Sequence, residues 1–265
     1  MYYLLNFLAV ALASFLLTGL LRRYALSRRL LDIPNERSSH RIPTPRGGGL
    51  GLVLPFLAGM TGLILAGALP APLFWALLGA GGWTALIGWL DDRGSIPILL
   101  RLVGHFLAAG WALAWLGGLP PLPVFGLEMD LGPAGHLLAA VYLVWLLNLY
   151  NFMDGIDGIA GIEAVTVCLG AAVLSVFSGP DTGLWILSLP LAAAAAGFLI
   201  WNFPRARIFM GDAGSGFIGM VLGVLSIQAA WTLPELFFSW VILLGAFVVD
   251  ATVTLLRRAW RKERF

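Results

Sequence analysis

The sequence predicts an all-α polytopic integral membrane protein with about nine transmembrane helices, and three observations predict it. Residues of the AVILMFWYC class make up 60% of the 265-residue chain and charged residues only 11%, against about 25% charged in a typical soluble domain. So few charges cannot cover a globule of this length. Apolar stretches long enough to cross a bilayer, roughly 20 residues each, recur along the whole chain. All sixteen Lys and Arg residues then fall on one side of the spans so counted. The thirty-three glycines and eleven tryptophans suit helices that pack closely in lipid.

The spans are expected at 2–21, 49–68, 73–90, 98–116, 136–152, 160–177, 184–201, 215–231 and 236–256. The first lacks a basic n-region and is followed by Arg22-Arg23, so it reads as a helix rather than a signal peptide. Pro55 and Pro190 are expected to kink their spans without breaking them. Arg22, Arg23, Arg28, Arg29, Arg37, Arg41 and Arg46 lie between spans one and two. Arg93 and Arg101 lie between or just inside spans three and four, and Arg205 and Arg207 between seven and eight. Arg257, Arg258, Arg261, Lys262 and Arg264 follow span nine. One missed or invented span would scatter this pattern. The positive-inside rule therefore puts the N-terminus outside and the C-terminus in the cytoplasm.

The outer loops carry only the acids Glu128, Asp130, Asp181 and Glu235, and Val124–Leu131 has the makings of a small hairpin. No repeat divides the chain, and one integral domain over 1–265 is the economical reading. A net charge of +2 without an extended basic patch excludes a nucleic-acid binder. The single cysteine, Cys168, excludes a disulfide within one chain.

A loop that only joins two helices has no need of carboxylates at the membrane surface, yet most of the inner segments place Asp at a span end. Span three closes on Asp91-Asp92-Arg93. Adjacent like charges repel, and such a pair persists where a cation or basic group compensates it. A solvated helix end with Arg93 as partner is the equal alternative. Span five ends with polar groups every three residues, Asn148, Asn151, Asp154 and Asp157, the last two each followed by glycine. That spacing keeps neighbours on one helix face, and the Asp-Gly steps then turn the backbone. Converging amide and carboxylate oxygens suit a hard cation such as Mg²⁺ or the hydroxyls of a sugar–nucleotide.

Between spans seven and eight runs Asn202-Phe-Pro-Arg-Ala-Arg207-Ile-Phe-Met-Gly211-Asp212-Ala-Gly214-Ser215-Gly216. The glycines permit close backbone approach. Ser215 is expected to open a helix whose amides can hold an anion, with Asp212 bridging a metal to a diphosphate. In the first inner loop, Arg37, His40, Arg41 and Arg46 are candidates for phosphate contacts in a structured, extended segment; positive-inside topology alone is the even alternative. Asp250 within the last apolar run is costly and defaults to a functional or paired role. His105 reads as a satisfied bundle histidine, His136 as structural, Glu163 as a residue near enough to orient the cluster, and Cys168 as packing.

At these residues the sequence resembles the polyprenyl-phosphate N-acetylhexosamine-1-phosphate transferases, which include O-antigen and enterobacterial common antigen initiators and phospho-MurNAc-pentapeptide translocase. The motifs that carry the resemblance are, in order, Asp32-x-Pro-Asn-x-Arg37-x-x-His40 with Pro45-x-Gly-Gly, Asp91-Asp92, Asn148-x-x-Asn151-x-x-Asp154-Gly-x-Asp157-Gly and Gly211-Asp212-Ala-Gly-Ser215, with a weaker Val249-Asp250-Ala251-Thr252.

The resemblance implies transfer of a sugar 1-phosphate from a UDP-N-acetylhexosamine to polyprenyl phosphate, with release of UMP. This would occur at the cytoplasmic face of a bacterial inner membrane and start a cell-envelope polysaccharide. It implies Mg²⁺ as cofactor, or Mn²⁺ in its place, and leaves a homodimer open. It gives Asp91, Asp92 and Asp212 catalytic and metal-binding roles. Substrate contacts go to Arg37, His40, Arg41, Asn148, Asn151, Asp154, Asp157, Asn202 and Ser215. The resemblance also implies a further basic inner loop and at least one more span beyond Phe265, so the chain is expected to be C-terminally truncated relative to the family. A cation-coupled transporter and an inactive truncated scaffold are the competing readings.

Overall fold

The computed structural model describes residues 1–34, 41–179 and 183–262. Its order is α1 (Tyr2–Ser27), β1 (Leu31–Asp32), β2 (Thr44–Pro45), α2 (Leu50–Leu65), α3 (Ala71–Ala76), a π-helical turn (Leu77–Gly81), α4 (Gly82–Arg93), α5 (Ile98–Leu116), β3 (Leu122–Val124), β4 (Leu127–Met129), α6 (Gly132–Met153), α7 (Ile159–Phe177), α8 (Leu184–Asn202), α9 (Asp212–Thr232), α10 (Glu235–Leu243) and α11 (Gly245–Arg261).

Among the described residues, seven helices are long and apolar enough to cross a membrane, α3 to α4 counting as one. An eighth candidate is the pair α10–α11, bent by 68° at its break, and the sixteen-residue α2 is a shorter apolar helix. All nine expected segments are thus helical, and the fold is the expected all-α membrane bundle. Pro55 and Pro190 both sit inside continuous helices. The Val124–Leu131 hairpin forms as β3 and β4, with Val124 opposite Leu127.

Helix α9 is the axis of the bundle: every residue from Ala213 to Ile227 is buried. It packs chiefly on α6 and α4, while α1 packs on α2 and α8, and α8 on α7. Lipid tails are as apolar as leucine, so these helices gain from close packing rather than from escaping water. Glycine supplies that closeness where α2 meets α9. A Cβ on Gly49 would lie 2.5 Å from the Gly214 backbone.

One expectation is corrected. Ser215 does not open α9: the helix begins at Asp212, and Ser215 is fully buried one turn in. The cause is a tertiary contact that no local pattern reveals. The Asp92 carboxylate accepts from the Asp212 and Ala213 amides at 3.2 and 3.3 Å. It thereby satisfies donors that a helix start otherwise leaves open and sets a negative charge at the positive end of the helix. The anion place at this N-terminus is already taken, by a side chain of α4.

Candidate active site

Four connections meet at one end of the bundle, and backbone bonds tie two of them, the first inner loop and the segment between α8 and α9. Phe209 N donates to Pro45 O at 2.8 Å, Gly48 N to Phe209 O at 2.9 Å and Gly49 N to Met210 O at 2.8 Å. The first inner loop is extended at Thr44–Pro45, where Thr44 pairs with Asp32, and turns at Gly48–Gly49 into α2. Asn202, buried at the end of α8, clamps two further segments. Its Oδ1 accepts from Gly158 N at 2.9 Å and its Nδ2 donates to Ile208 O at 3.0 Å. Asp157 accepts from Ala206 N at 2.9 Å. Asn202→Ala would orphan a buried N–H and a buried C=O, at about 1–3 kcal/mol each. We expect a lower unfolding temperature by scanning fluorimetry, with the cavity loops losing protection from hydrogen exchange first.

Asp91 and Asp92 divide their work because neighbours on a helix point about 100° apart. Asp92 caps α9. Asp91 accepts from Ile96 N at 2.7 Å, forms a charge-paired hydrogen bond with Arg101 and meets the Asp212 carboxyl rather than the α9 amides. The same guanidinium lies 3.5 Å from Asp212 Oδ2, so Arg101 joins α4, α5 and α9. Arg93, the expected partner of the pair, stacks instead over Trp89 at 4.0 Å. From the sequence, Arg101 bears only on topology. The signal for its site role is weak, a lone base one turn into an apolar span ten residues after Asp91.

A cavity of about 350 Å³ opens among these loops, walled by Asp32, Arg46, Asp92, Asn151, Asp154, Asp157, Asn202 and Asp212, with Gly155, Ile156, Phe209, Met210 and Gly211 completing it. Asn151 hydrogen-bonds the Asp212 carboxylate, and its Oδ1 accepts from Ser215 Oγ at 3.3 Å. Ser215 stands behind the wall rather than in it.

Two expected contacts lie elsewhere. Asn148 returns its amide to Val144 O of its own helix at 2.7 Å, and Arg41 is exposed outside the cavity. Arg37 and His40 lie outside the described residues. His105 is buried as expected, but its Nδ1 has no hydrogen-bond partner, so it is not a satisfied bundle histidine. Glu163 is not part of the wall, Cys168 is packed in the core, and Asp250 is exposed on α11.

Burial, reinforced by the charges of Asp212, Asp92 and Asp157, pushes the Asp154 carboxyl up to about 8. A carboxyl raised in the folded state stabilises the fold while protonated, and that contribution is lost as pH climbs from about 4 toward 8. In chelator-treated protein, Asp154→Asn should therefore gain thermal stability over the parent as pH rises from about 5 to 9. A pH-independent difference in unfolding temperature would contradict this.

Five aspartates and one arginine line the cavity, a balance that repels a phosphate unless a cation enters with it. Among the described residues no three His, Cys, Asp or Glu side chains already stand as a preformed metal cage. Mg²⁺ needs none, because it commonly takes one or two carboxylates and completes its shell with water and substrate phosphate. The oxygen-only donors therefore fit it.

A family model described as glycosyl transferase family 4 matches residues 74–230, from α3 through most of α9. A decaprenyl-phosphate N-acetylglucosaminephosphotransferase of Mycolicibacterium smegmatis is 31% identical over 252 residues, covering 86% of this chain and 60% of the relative. A phospho-N-acetylmuramoyl-pentapeptide-transferase of Moorella thermoacetica is 36% identical over 229 residues, covering 81% and 69%. One from Synechococcus elongatus is 30% identical over 284 residues, covering 97% and 72%. The chain spans 60% of the length of the mycobacterial relative. It belongs to glycosyl transferase family 4.

Proposed function

We propose that the protein transfers N-acetylhexosamine 1-phosphate from a UDP-sugar to polyprenyl phosphate, releasing UMP and starting a cell-envelope polysaccharide of the O-antigen kind. The observation that carries the reading is the acidic cavity of about 350 Å³ at the start of α9, in a membrane protein of this family. An oxygen of the lipid phosphate attacks the sugar-bearing β-phosphorus, and the bond from that phosphorus to the oxygen bridging to UMP breaks. The lipid phosphate needs little help to ionise, since its second pKa is near 6. What it needs is placement and relief of charge.

Placement falls to the chain. Asn151, Asp154 and Asp157 present hydrogen-bonding groups to the donor nucleotide and sugar. Arg46 on one side and Arg101 on the other flank the acids with positive charge, and Arg101 keeps Asp91 and Asp212 facing each other. Asp212, with Asp91 beside it, would hold Mg²⁺, or Mn²⁺ in its place. Asp92, committed to the α9 amides, orients rather than ligates. When bound, the cation screens the meeting of two phosphates and the charge developing on UMP. The arginine-bearing ends of the spans support a site on the cytoplasmic side, and the bacterial relatives support an inner membrane.

A cation-coupled transporter would carry its carboxylates near mid-span. Here Asp91 and Asp92 end α4, Asp154 and Asp157 follow α6, and Asp212 is the first residue of α9. The test is direct: membranes containing the protein are supplied with polyprenyl phosphate, Mg²⁺ and a panel of UDP-N-acetylhexosamines. Formation of lipid-linked sugar with equimolar UMP is expected for at least one donor. No product with any donor would sink the reading.

A further inference from the structure

A second cavity, of about 670 Å³, lies beside the acidic one. It lies between the end of α1, the turn after β2, the start of α2 and the end of α4. Its walls are mostly apolar, with Leu21, Ala25 and Leu50 among them, and three arginines line it: Arg28, Arg46 and Arg93. Arg93 stacks at 4.0 Å over Trp89 and Arg28 at 5.9 Å over Tyr24, and both rings belong to the same wall. Stacking holds two long cationic side chains against the cavity and limits the entropy they lose on gripping a ligand. Apolar walls lined by fixed guanidinium groups suit an amphiphile with a phosphate, and the volume is that of a ligand pocket.

We propose that this cavity binds the headgroup of an anionic diacyl phospholipid of the inner leaflet, held as a resident ligand. Charge separates that lipid from a reactant. Asp92 stands in the wall shared with the acidic cavity, so a phosphate moving inward meets a carboxylate. Free phosphate would leave the apolar walls unused. Arg46 lines both cavities, so a lipid that fixes its guanidinium also fixes one cationic edge of the transfer site. Anionic lipid is therefore coupled to turnover.

Native mass spectrometry of the full chain in detergent, with phosphatidylglycerol or phosphatidylcholine added, tests binding without relying on any activity. We expect one phosphatidylglycerol retained per chain, and no comparable retention of phosphatidylcholine. Arg28→Ala/Arg93→Ala should reduce retention at least tenfold, and Arg28→Lys/Arg93→Lys should recover most of it. The exposed pair Arg23→Ala/Arg257→Ala removes the same charge outside the cavity and should change nothing. Equal retention by the Ala/Ala variant and the parent would overturn the proposal. So would one-for-one displacement by polyprenyl phosphate, which would make the cavity the acceptor's own. Loss of transfer activity in every protein, with the lipid pattern intact, would fault the transferase reading and leave this one standing.

Discussion

Asp212→Asn should lower the rate of sugar-phosphate transfer by at least about 10³-fold while the protein still inserts and folds. The substitution keeps the size of the side chain and the start of α9, because the cap there comes from Asp92 and not from Asp212 itself. It removes one negative charge from a cavity whose walls are acidic, at the point where Arg101 and Asn151 converge. Raising Mg²⁺ should recover only part of the rate, since a neutral amide is a poorer ligand than a carboxylate.

Two companion variants separate roles. Arg101→Ala frees Asp91 and Asp212 from their shared partner and should raise the Mg²⁺ concentration needed for half activity less than it lowers turnover. Asp92→Ala strips the cap and should cost stability as well as rate, typically about 1 kcal/mol for a lost cap. If Asp212→Asn kept full activity with unchanged Mg²⁺ dependence, the metal assignment would be wrong.

Much of this is legible in the sequence. Span positions follow from stretches of about 20 apolar residues, although α2 is shorter than that and the last expected span is bent by 68° into α10 and α11. The acids of the cavity, Asp92, Asp154, Asp157 and Asp212, stand out because a carboxylate at a span end has no packing role. What the sequence could not show is orientation about a helix. Asp91 and Asp92 are neighbours in one motif, yet Asp92 caps the α9 amides while Asp91 meets Arg101 and the Asp212 carboxyl. Asn148 keeps the three-residue spacing of its motif, yet its amide returns to its own helix. Arg101 carries no motif and gains its place only because the turn at Gly94–Pro97 folds α5 back beside α4. The start of α9 was misjudged by three residues for the same reason: its cap is 120 positions away in sequence.

That cap depends on a near-contact of backbones, and the second large effect follows from it. A Cβ on Gly88 would lie 2.5 Å from the Asp212 carbonyl and from Ala213 N, atoms of the α9 backbone that cannot rotate away. Gly88 sits one turn before Asp92, so the pair forms one device: the missing side chain lets α4 approach, and the carboxylate then reaches the amides. Gly88→Ala must push the helices apart. Overpacking in a core typically costs about 1–3 kcal/mol, and a clash between two main chains belongs at the upper end.

The displacement also withdraws Asp92 from its donors and Asp91 and Arg101 from Asp212. Activity should therefore fall by more than about 10²-fold, the loss expected from misplacing reacting groups by about 1 Å, even in the fraction that folds. Scanning fluorimetry and initial rates on the same detergent-purified sample read both effects. Gly82→Ala is the control, since a Cβ there meets nothing within 4 Å in the same helix. Were Gly88→Ala to match that control in both measurements, close approach of α4 and α9 would not be what assembles the site.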